Sequence, residues 1–288
     1  MYSSFTSISK HLEDRLSHLY EAREIKSISY RIMEYVTGKT RKDWMLDDQT
    51  NLSESQQDVL TVVIQKLESG VPMQYAIEEA DFMGEVFFVD ESVLIPRPET
   101  EELVHWILND LDFSRRMVLD IGTGSGCIAI SLAKHRGSWS ISACDTSNEA
   151  LVVARRNARE LKVVSEIVFY KEDILNPSTL YDSELDVIVS NPPYVLESDK
   201  DLMTKQVTEH EPSLALFVPD TDSLRFYREI GTYGLKALKP GGDLYFEIHT
   251  DKGNEVLELL KNQGYTDVVL KQDLSGRDRV IRATTPTD

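Results

Sequence analysis

From Glu99 to the end of the chain, short apolar runs alternate with amphipathic helical patterns, and this alternation restricts the possible folds. The apolar runs predict strands at 117–121, 140–145, 167–173, 186–190, 243–248, 268–272 and 279–283. The patterns between them predict helices that include 128–135, 148–161, 223–238 and 254–262. Such an alternation is typical of an α/β fold, in which helices cover both faces of a mostly parallel sheet. Only a short segment that contains Leu274-Ser275-Gly276-Arg277 separates the last two strands, so we expect them to form an antiparallel hairpin.

The first 75 residues show a helical pattern without strands. Apolar residues recur every three or four positions over 21–36 and again over 53–67, which predicts two amphipathic helices. Ser53 and Gln56 resemble a capping box, and Gly38 is placed to end the first helix. The predicted domains are a helical domain at 1–75, a β-hairpin with a proline-rich connector at 76–98 and an α/β domain at 99–288.

The charge of the chain bears on its partners. The net charge is −18 over 288 residues, and −16 of it falls after residue 75, so a basic track for nucleic acid is not expected. The chain has two cysteines and no metal-ligand spacing, which predicts neither a disulfide framework nor a metal site. With neither a secretory signal pattern nor a membrane-length apolar run, we expect a cytoplasmic protein that binds no membrane. We separately expect a monomer.

A glycine-rich turn follows the first predicted strand of the α/β domain and leads directly into a helix. The turn consists of Asp120, Ile121, Gly122, Thr123, Gly124, Ser125 and Gly126. Its spacing differs from that of dinucleotide sites, and Asp120 suits an ammonium group better than a pyrophosphate. Asp145 ends the next strand, where a carboxylate can accept both ribose hydroxyls. These features favour S-adenosylmethionine as the ligand, with another nucleotide or a purely structural turn as alternatives.

A third acidic residue ends the third predicted strand. Asp173 precedes Ile174, and we expect both to contact the adenine of the same ligand. The alternative is a surface carboxylate that caps a turn.

The segment Asn191-Pro192-Pro193-Tyr194 follows an apolar strand and gives the strongest chemical signal. An amide nitrogen is a poor nucleophile, because its lone pair is delocalised. Acceptors from the Asn191 side chain and the Pro192 backbone would draw such a nitrogen toward sp³ character, and Tyr194 would offer a flat face to the planar group. Pro193 would stiffen the turn. We expect these four residues to bind the substrate and perform catalysis; the alternative is a proline-stiffened turn.

The motifs of the chain together resemble those of the release-factor glutamine methyltransferase family. The shared segments are Pro72-Met73-Gln74-Tyr75, Leu94-Ile95-Pro96-Arg97-Pro98-Glu99-Thr100-Glu101, the glycine-rich turn, Asn157-Ala158, Asn191-Pro192-Pro193-Tyr194, His210-Glu211-Pro212, Leu238-Lys239-Pro240-Gly241-Gly242 and Gly276-Arg277-Asp278-Arg279. The resemblance implies a class I methyltransferase-like Rossmann sheet with an N-terminal helical substrate-recognition domain.

The resemblance also implies a reaction. S-adenosyl-L-methionine would donate a methyl group to the side-chain amide nitrogen of glutamine in the Gly-Gly-Gln motif of peptide-chain release factors, leaving S-adenosyl-L-homocysteine. Some relatives have an aromatic residue where this chain has Ile174, so adenine stacking is not expected from that side chain.

Two other functions are compatible with parts of the sequence. Adenine and cytosine amino-methyltransferases of nucleic acids share Asn-Pro-Pro-Tyr, although they need a basic track. A non-catalytic binding module could keep the fold for docking alone. His210 is interpreted as a loop anchor with a base as the alternative, and Arg97 as a cofactor-lid residue or an ion-pair partner. Cys127 and Cys144 are interpreted as packing residues.

Overall fold

The structure, a computed structural model, describes residues 4–49, 51–179 and 181–287. Its contacts divide the chain into two compact units. The first comprises the described residues up to Glu79 together with Thr204–His210, and the second comprises Ala80–Met203 with the residues from Glu211 onward.

The first unit is helical. Its helices are α1 (Phe5–Leu16), α2 (Ala22–Thr37), α3 (Arg41–Leu46), α4 (Glu54–Glu68) and α5 (Met73–Ile77). The two helices predicted in this region are confirmed as α2 and α4, as is the capping box, in which the Ser53 hydroxyl accepts from the Gln56 backbone N–H. Gly38 ends α2 in the left-handed conformation, with φ +72°. The apolar faces of these helices form one buried cluster around Ile8, Ile32 and Leu60.

A short hairpin follows this helical region. Its strands are β1 (Glu79–Phe82) and β2 (Glu85–Phe88), joined by Met83 and Gly84. Both turn residues have positive φ, 51° and 77°, as a two-residue hairpin turn that matches the strand twist requires.

The second unit contains a seven-stranded sheet. The helices that precede the sixth strand of the chain in this unit are α6 (Pro98–Asp110), α7 (Cys127–His135) and α8 (Asn148–Glu160). Its first strands are β3 (Met117–Ile121), β4 (Ser140–Asp145), β5 (Ile167–Lys171) and β6 (Leu185–Ser190). Next come β7 (Val195–Leu196), α9 (Lys205–His210), which belongs to the first unit, α10 (Ser213–Leu216) and β8 (Phe217–Val218). The chain ends with α11 (Arg225–Ala237), β9 (Leu238–Glu247), α12 (Gly253–Gln263), β10 (Thr266–Gln272) and β11 (Asp278–Thr284).

The strand order in this sheet is β10-β11-β9-β6-β3-β4-β5. The pairs from β9 to β5 are parallel, whereas β11 is antiparallel to both β9 and β10. The prediction of a mostly parallel Rossmann sheet with an antiparallel C-terminal hairpin is therefore confirmed. From β3 the chain adds β4 and β5 on one side and then returns to add β6 on the other. This reversal lies at β3, where ligands bind in open α/β sheets.

Two apolar clusters cover the sheet, one on each face. One contains α6 and α7 with residues such as Leu103, Ile130 and Val187, and the other contains α11 with Tyr227, Ile230 and Phe246. In β3 every residue after Met117 is buried. Because the central strands are covered on both faces, their carboxyl ends are the open edge at which a site can form.

No helix in the described part of the chain has the length and apolarity that crossing a membrane requires.

Candidate functional site

A cavity of about 300 Å³ lies in the second unit, where β3, β4, β5 and β6 end. The predicted site residues that line it are Gly122, Gly124, Asp145, Asp173, Ile174, Asn191, Pro192 and Pro193. The structure therefore brings residues from the glycine-rich turn, the two following strand ends and the Asn191 segment to one place. The predicted residues outside this lining are Asp120, Thr123, Ser125, Gly126 and Tyr194.

Asp120 lies behind the glycine-rich turn and is completely buried. Its Oδ2 accepts from the Thr123 hydroxyl at 2.6 Å and from the Ala129 backbone N–H at 3.3 Å. Its Oδ1 has no hydrogen-bond partner among the described residues. Burial raises the pKa of Asp120 to about 7, an effect that the two hydrogen bonds oppose. A buried carboxylate oxygen without a donor fits a cationic group from a ligand.

The three glycines of the turn have positive φ, at 73° for Gly122, 53° for Gly124 and 83° for Gly126. A Cβ on Gly126 would lie 3.0 Å from Ile130 and 3.2 Å from Ala154, so a side chain there would be crowded as well as strained by the positive φ. A Cβ on Gly124 would meet nothing within 4 Å, and this residue lines the cavity. The turn therefore offers bare backbone to a ligand at Gly124.

Asp145 ends β4 and lines the cavity. One carboxylate oxygen accepts from the Gly124 N–H and the other from the Ser147 N–H, both at 2.9 Å. Burial raises its pKa, and these backbone hydrogen bonds oppose the rise. Each oxygen keeps further acceptor capacity, which is the arrangement a ribose diol needs. The bond from Gly124 also joins the two parts of the predicted cofactor site.

Asp173 lies two residues beyond β5, at the edge of the cavity, and is exposed. Its Oδ1 accepts from the Leu175 N–H at 3.0 Å, so it also caps a local turn. The buried neighbour Glu172, which the sequence reasoning missed, accepts from the backbone N–H groups of Ser178 and Thr179. Glu172 thereby fixes the loop in which Asp173 and Ile174 lie.

Asn191 follows β6, and a chain of polar contacts determines which way its amide points. Its Nδ2 donates to Thr100 Oγ1 at 3.1 Å, and Thr100 Oγ1 donates to Glu247 Oε2 at 2.6 Å. Tyr194 Oη donates to Glu247 Oε1 at 3.0 Å. Thr100 and Glu247 are both buried. Neither was identified as a site residue from the sequence, although Thr100 lies within one of the shared motifs.

Tyr194 is held by the buried Glu247 and by the ring of His249. Besides its bond to Glu247, its ring packs edge-on against His249, with 5.9 Å between the centroids. Burial and the Glu247 carboxylate raise the pKa of its hydroxyl well above the usual range, so Tyr194 stays a neutral donor. Pro192 and Pro193 continue the wall of the cavity beyond Asn191.

An ion pair joins the shared segment 94–101 to the shared segment 210–212. Arg97 Nη2 lies 2.5 Å from Glu211 Oε1, and Glu211 Oε2 accepts from the Ile95 N–H at 3.3 Å. The Glu211 side chain is buried, whereas His210 lies in the first unit, where its ring is near Gly70. Leu94 and Pro212, beside the paired residues, both line the cavity. Arg97 is therefore an ion-pair partner. The residue that pairs with it is Glu211, to which the sequence analysis assigned no role.

Asn157 is another residue to which the sequence assigned no role. This buried side chain accepts from the Phe88 N–H and donates to the carbonyls of Phe88 and of Ser125 in the glycine-rich turn. It therefore ties the hairpin to the turn.

The two cysteines show no reactive character. Both are free, and burial raises the pKa of each thiol to about 12. Cys144 lies beside the cavity and Cys127 begins α7. Within the described ranges, no three His, Cys, Asp or Glu side chains are grouped as metal ligands would be.

The chain is similar to several known proteins and protein families. Residues 100–214 match the model of the methyltransferase small domain, and residues 8–77 match that of the PrmC N-terminal domain. A release factor glutamine methyltransferase of Bacteroides thetaiotaomicron is 41% identical over 276 residues, which cover 96% of this chain and 98% of that protein. One of Flavobacterium psychrophilum is 42% identical over 93% of this chain and 94% of that protein.

Among solved structures, a methyltransferase from Pyrococcus furiosus has the same fold. The TM-score is 0.52 at 16% identity, and the match covers 71% of this chain and 90% of the other.

Proposed function

Because this chain belongs to the release factor glutamine methyltransferase family, we propose that it methylates the side-chain amide nitrogen of glutamine in the Gly-Gly-Gln motif of release factors. The observation on which this rests most is the position of Asn191: its amide lies at the wall of the same cavity as the glycine-rich turn. A target amide and a methyl donor can therefore meet in one enclosed place.

The residues that would hold S-adenosyl-L-methionine fit its chemical groups. We assign its ammonium to Asp120, whose Oδ1 lacks a donor among the described residues, and its ribose to Asp145. Its adenine would lie at Asp173 and Ile174. The turn that includes Gly122, Thr123, Gly124, Ser125 and Gly126 would offer backbone to its methionine part. When bound, the cofactor supplies an electrophilic methyl group on a sulfonium and leaves as S-adenosyl-L-homocysteine.

The substrate amide would be held by Asn191, Pro192, Pro193 and Tyr194. The Asn191 Oδ1 and the Pro192 carbonyl can each accept one N–H of the target group, which increases the electron density on the nitrogen. The methyl group brings its positive charge with it, so no strong general base has to act before the attack, and the methylated nitrogen then loses one of its protons to water. Positioning and electrostatics are then the main contributions of the chain.

We assign recognition of the whole release factor to the helical region at 1–75. This region is almost neutral, whereas the rest of the chain has a net charge of −16. Its α3 exposes two large apolar side chains, Met45 and Leu46. We further propose that the protein acts as a monomer in the cytoplasm and binds no nucleic acid.

This assignment can be tested by comparing two substrates. Changing both Met45 and Leu46 to Ser should raise KM for an intact release factor but not for a short Gly-Gly-Gln peptide. Val62→Ser, at another exposed apolar position of the first unit, is the matched control. An equal effect on both substrates would remove the docking role from α3.

The central experiment is mass spectrometry of a release factor after incubation with this protein and S-adenosyl-L-methionine. We expect a mass increase of one methyl group on the Gly-Gly-Gln glutamine. Unmethylated duplex DNA and single-stranded DNA are tested as alternative substrates in parallel reactions. Methylation of DNA but not of the release factor would replace the proposal by the nucleic-acid activity. Cofactor binding without transfer to either would indicate a binding module.

A further inference from the structure

A buried network beside the cavity leads to a positioning role for two residues that the proposed function does not name. Thr100 lies in the first turn of α6, and Glu247 ends β9. In the sheet register Ser190 is opposite Phe246, so the residues that follow them, Asn191 and Glu247, are neighbours across adjacent parallel strands. The helix and the two strands thus converge on one polar cluster.

The direction of each hydrogen bond in this cluster follows from the chemistry of its members. A carboxylate can only accept, so the single hydroxyl proton of Thr100 points to Glu247. Because its only proton is used in that bond, Thr100 Oγ1 can act only as an acceptor toward Asn191. The Nδ2 end of the Asn191 amide is the only end that can donate to it. With Nδ2 engaged, Oδ1 is the end that remains for the cavity. Among the described residues, none donates to Oδ1.

We propose that Glu247, acting through Thr100, holds the Asn191 amide in the one orientation that presents its oxygen to the substrate. The inference rests on the proposed methyl transfer to an amide nitrogen. A rotation of 180° would present Nδ2 instead, and this donor would oppose the N–H groups of the target. Glu247 also binds the hydroxyl of Tyr194, so one carboxylate sets two residues of the same segment.

The ionisation of Glu247 is consistent with this role. Burial raises its pKa, whereas the hydrogen bonds from Thr100 and Tyr194 and the nearby positive charge of Arg279 oppose that rise. A carboxylate accepts at both oxygens more strongly than a neutral carboxyl does, so these two donors favour the charged form.

The test is a double-mutant cycle between positions 100 and 191. Thr100→Val keeps the shape of the side chain but removes the hydroxyl, and we expect kcat on the release factor to fall about 3- to 10-fold. Cofactor affinity should be unchanged. Thr100→Ser keeps the hydroxyl and should restore most of the activity.

The decisive arm is Thr100→Val in an Asn191→Asp background. Asp has no N–H for Thr100 to accept and no amide to orient, so the valine should cause no further loss there. A packing role for Thr100 would lower kcat equally in both backgrounds, and that result would overturn the proposal. A loss that arises wholly from weaker cofactor binding would also overturn it.

A spectroscopic measurement on the unaltered protein covers the case in which the valine variant does not fold. The Asn191 side-chain NH₂ signals, assigned by their loss in Asn191→Asp, should exchange with solvent more slowly than those of the exposed Asn254. Equal exchange rates would contradict the orienting bond. This readout does not depend on turnover, so it separates failure of the inference from failure of the proposed function, which would appear as an unmethylated release factor.

Discussion

The two walls of the cavity are built in different ways. The glycine-rich turn is held mostly by near neighbours and by the adjacent strand: Thr123 bonds to Asp120, and the N–H groups of Gly122 and Thr123 donate to the Cys144 carbonyl. A more distant side chain, that of Asn157, also donates to the Ser125 carbonyl. The Asn191 segment is held by side chains from distant parts of the sequence, because Thr100 is 91 residues away and Glu247 lies 53 residues after Tyr194.

The difference has a physical cause. A turn that offers backbone to a ligand needs mainly the right φ angles, and glycines supply these locally. A side-chain amide that must present one of its two similar ends needs polar partners around it, and a compact fold supplies them from wherever the chain passes. We therefore expect changes in the first wall to alter cofactor affinity and changes in the second to alter turnover.

The largest effect is expected at Asp145, on the side of the cofactor. Asp145→Ala removes two charge-assisted acceptors, each of which contributes about 1.5–3 kcal/mol, so cofactor affinity should fall roughly 100-fold or more. Isothermal titration calorimetry measures it. Asp145→Asn retains one acceptor oxygen and should be intermediate. Unchanged affinity in the alanine variant would remove Asp145 from the site.

On the opposite wall, Asn191→Ala should lower kcat by about 100-fold, as the loss of a group that acts in the transition state does. Cofactor affinity should change less. Asn191→Asp keeps an accepting oxygen and should retain partial activity, measured by transfer of labelled methyl groups to a release factor. If the alanine variant were more active than the aspartate variant, with both folded, the side-chain acceptor would not be essential.

A smaller effect is expected at Gly124. Valine there must adopt φ 53°, which costs about 1–2 kcal/mol, and its side chain would project where a ligand approaches. Cofactor affinity should therefore fall about 10-fold or more, with kcat at saturating cofactor much less affected. Gly137, whose φ is ordinary and whose Cβ would meet nothing within 4 Å, gives the matched control as Gly137→Val. Normal cofactor affinity in the Gly124 variant would show that the turn is structural only.

The smallest effect is a change of stability with pH that arises at Asp120. Its pKa of about 7 in the fold is above the ordinary value of 3.8, so folding binds a proton between these pH values. The contribution of Asp120 to stability is then complete below about pH 4 and decreases as the pH rises to 7.

Asp120→Asn removes this titration. The free energy of unfolding of the unaltered protein should fall relative to that of the variant between pH 5 and pH 8, by about 1 kcal/mol or more. Urea unfolding at several pH values measures the free energy of unfolding of both proteins. Contributions from the other titrating groups are common to both proteins and cancel in the difference between them. A difference independent of pH would mean that Asp120 stays ionised throughout.

The order of strands and helices in the second unit is an example of what local pattern can predict. The predicted helix at 128–135 is α7, and the predicted strands at 140–145 and 268–272 are β4 and β10 with ends that agree within two residues. The prediction for 167–173 was too long, because β5 ends at Lys171. The Glu172 N–H still donates to the Asp145 carbonyl, as in a strand. The Glu172 and Asp173 side chains, however, accept from backbone N–H groups farther along the chain, and these bonds hold it in a loop.

The sequence by itself determined the alternating fold, the family and the segments that meet at the sheet edge, because periodicity, glycine spacing and Asn-Pro-Pro-Tyr are local signals. Only the tertiary structure decided that Glu211 pairs with Arg97, that Asn157 joins the hairpin to the glycine-rich turn, and that Thr100 and Glu247 orient Asn191. These are buried polar groups, and burial forces each to find a partner. The partner is whichever group the packing of helix and sheet brings within hydrogen-bond distance, and no spacing along the chain encodes that choice.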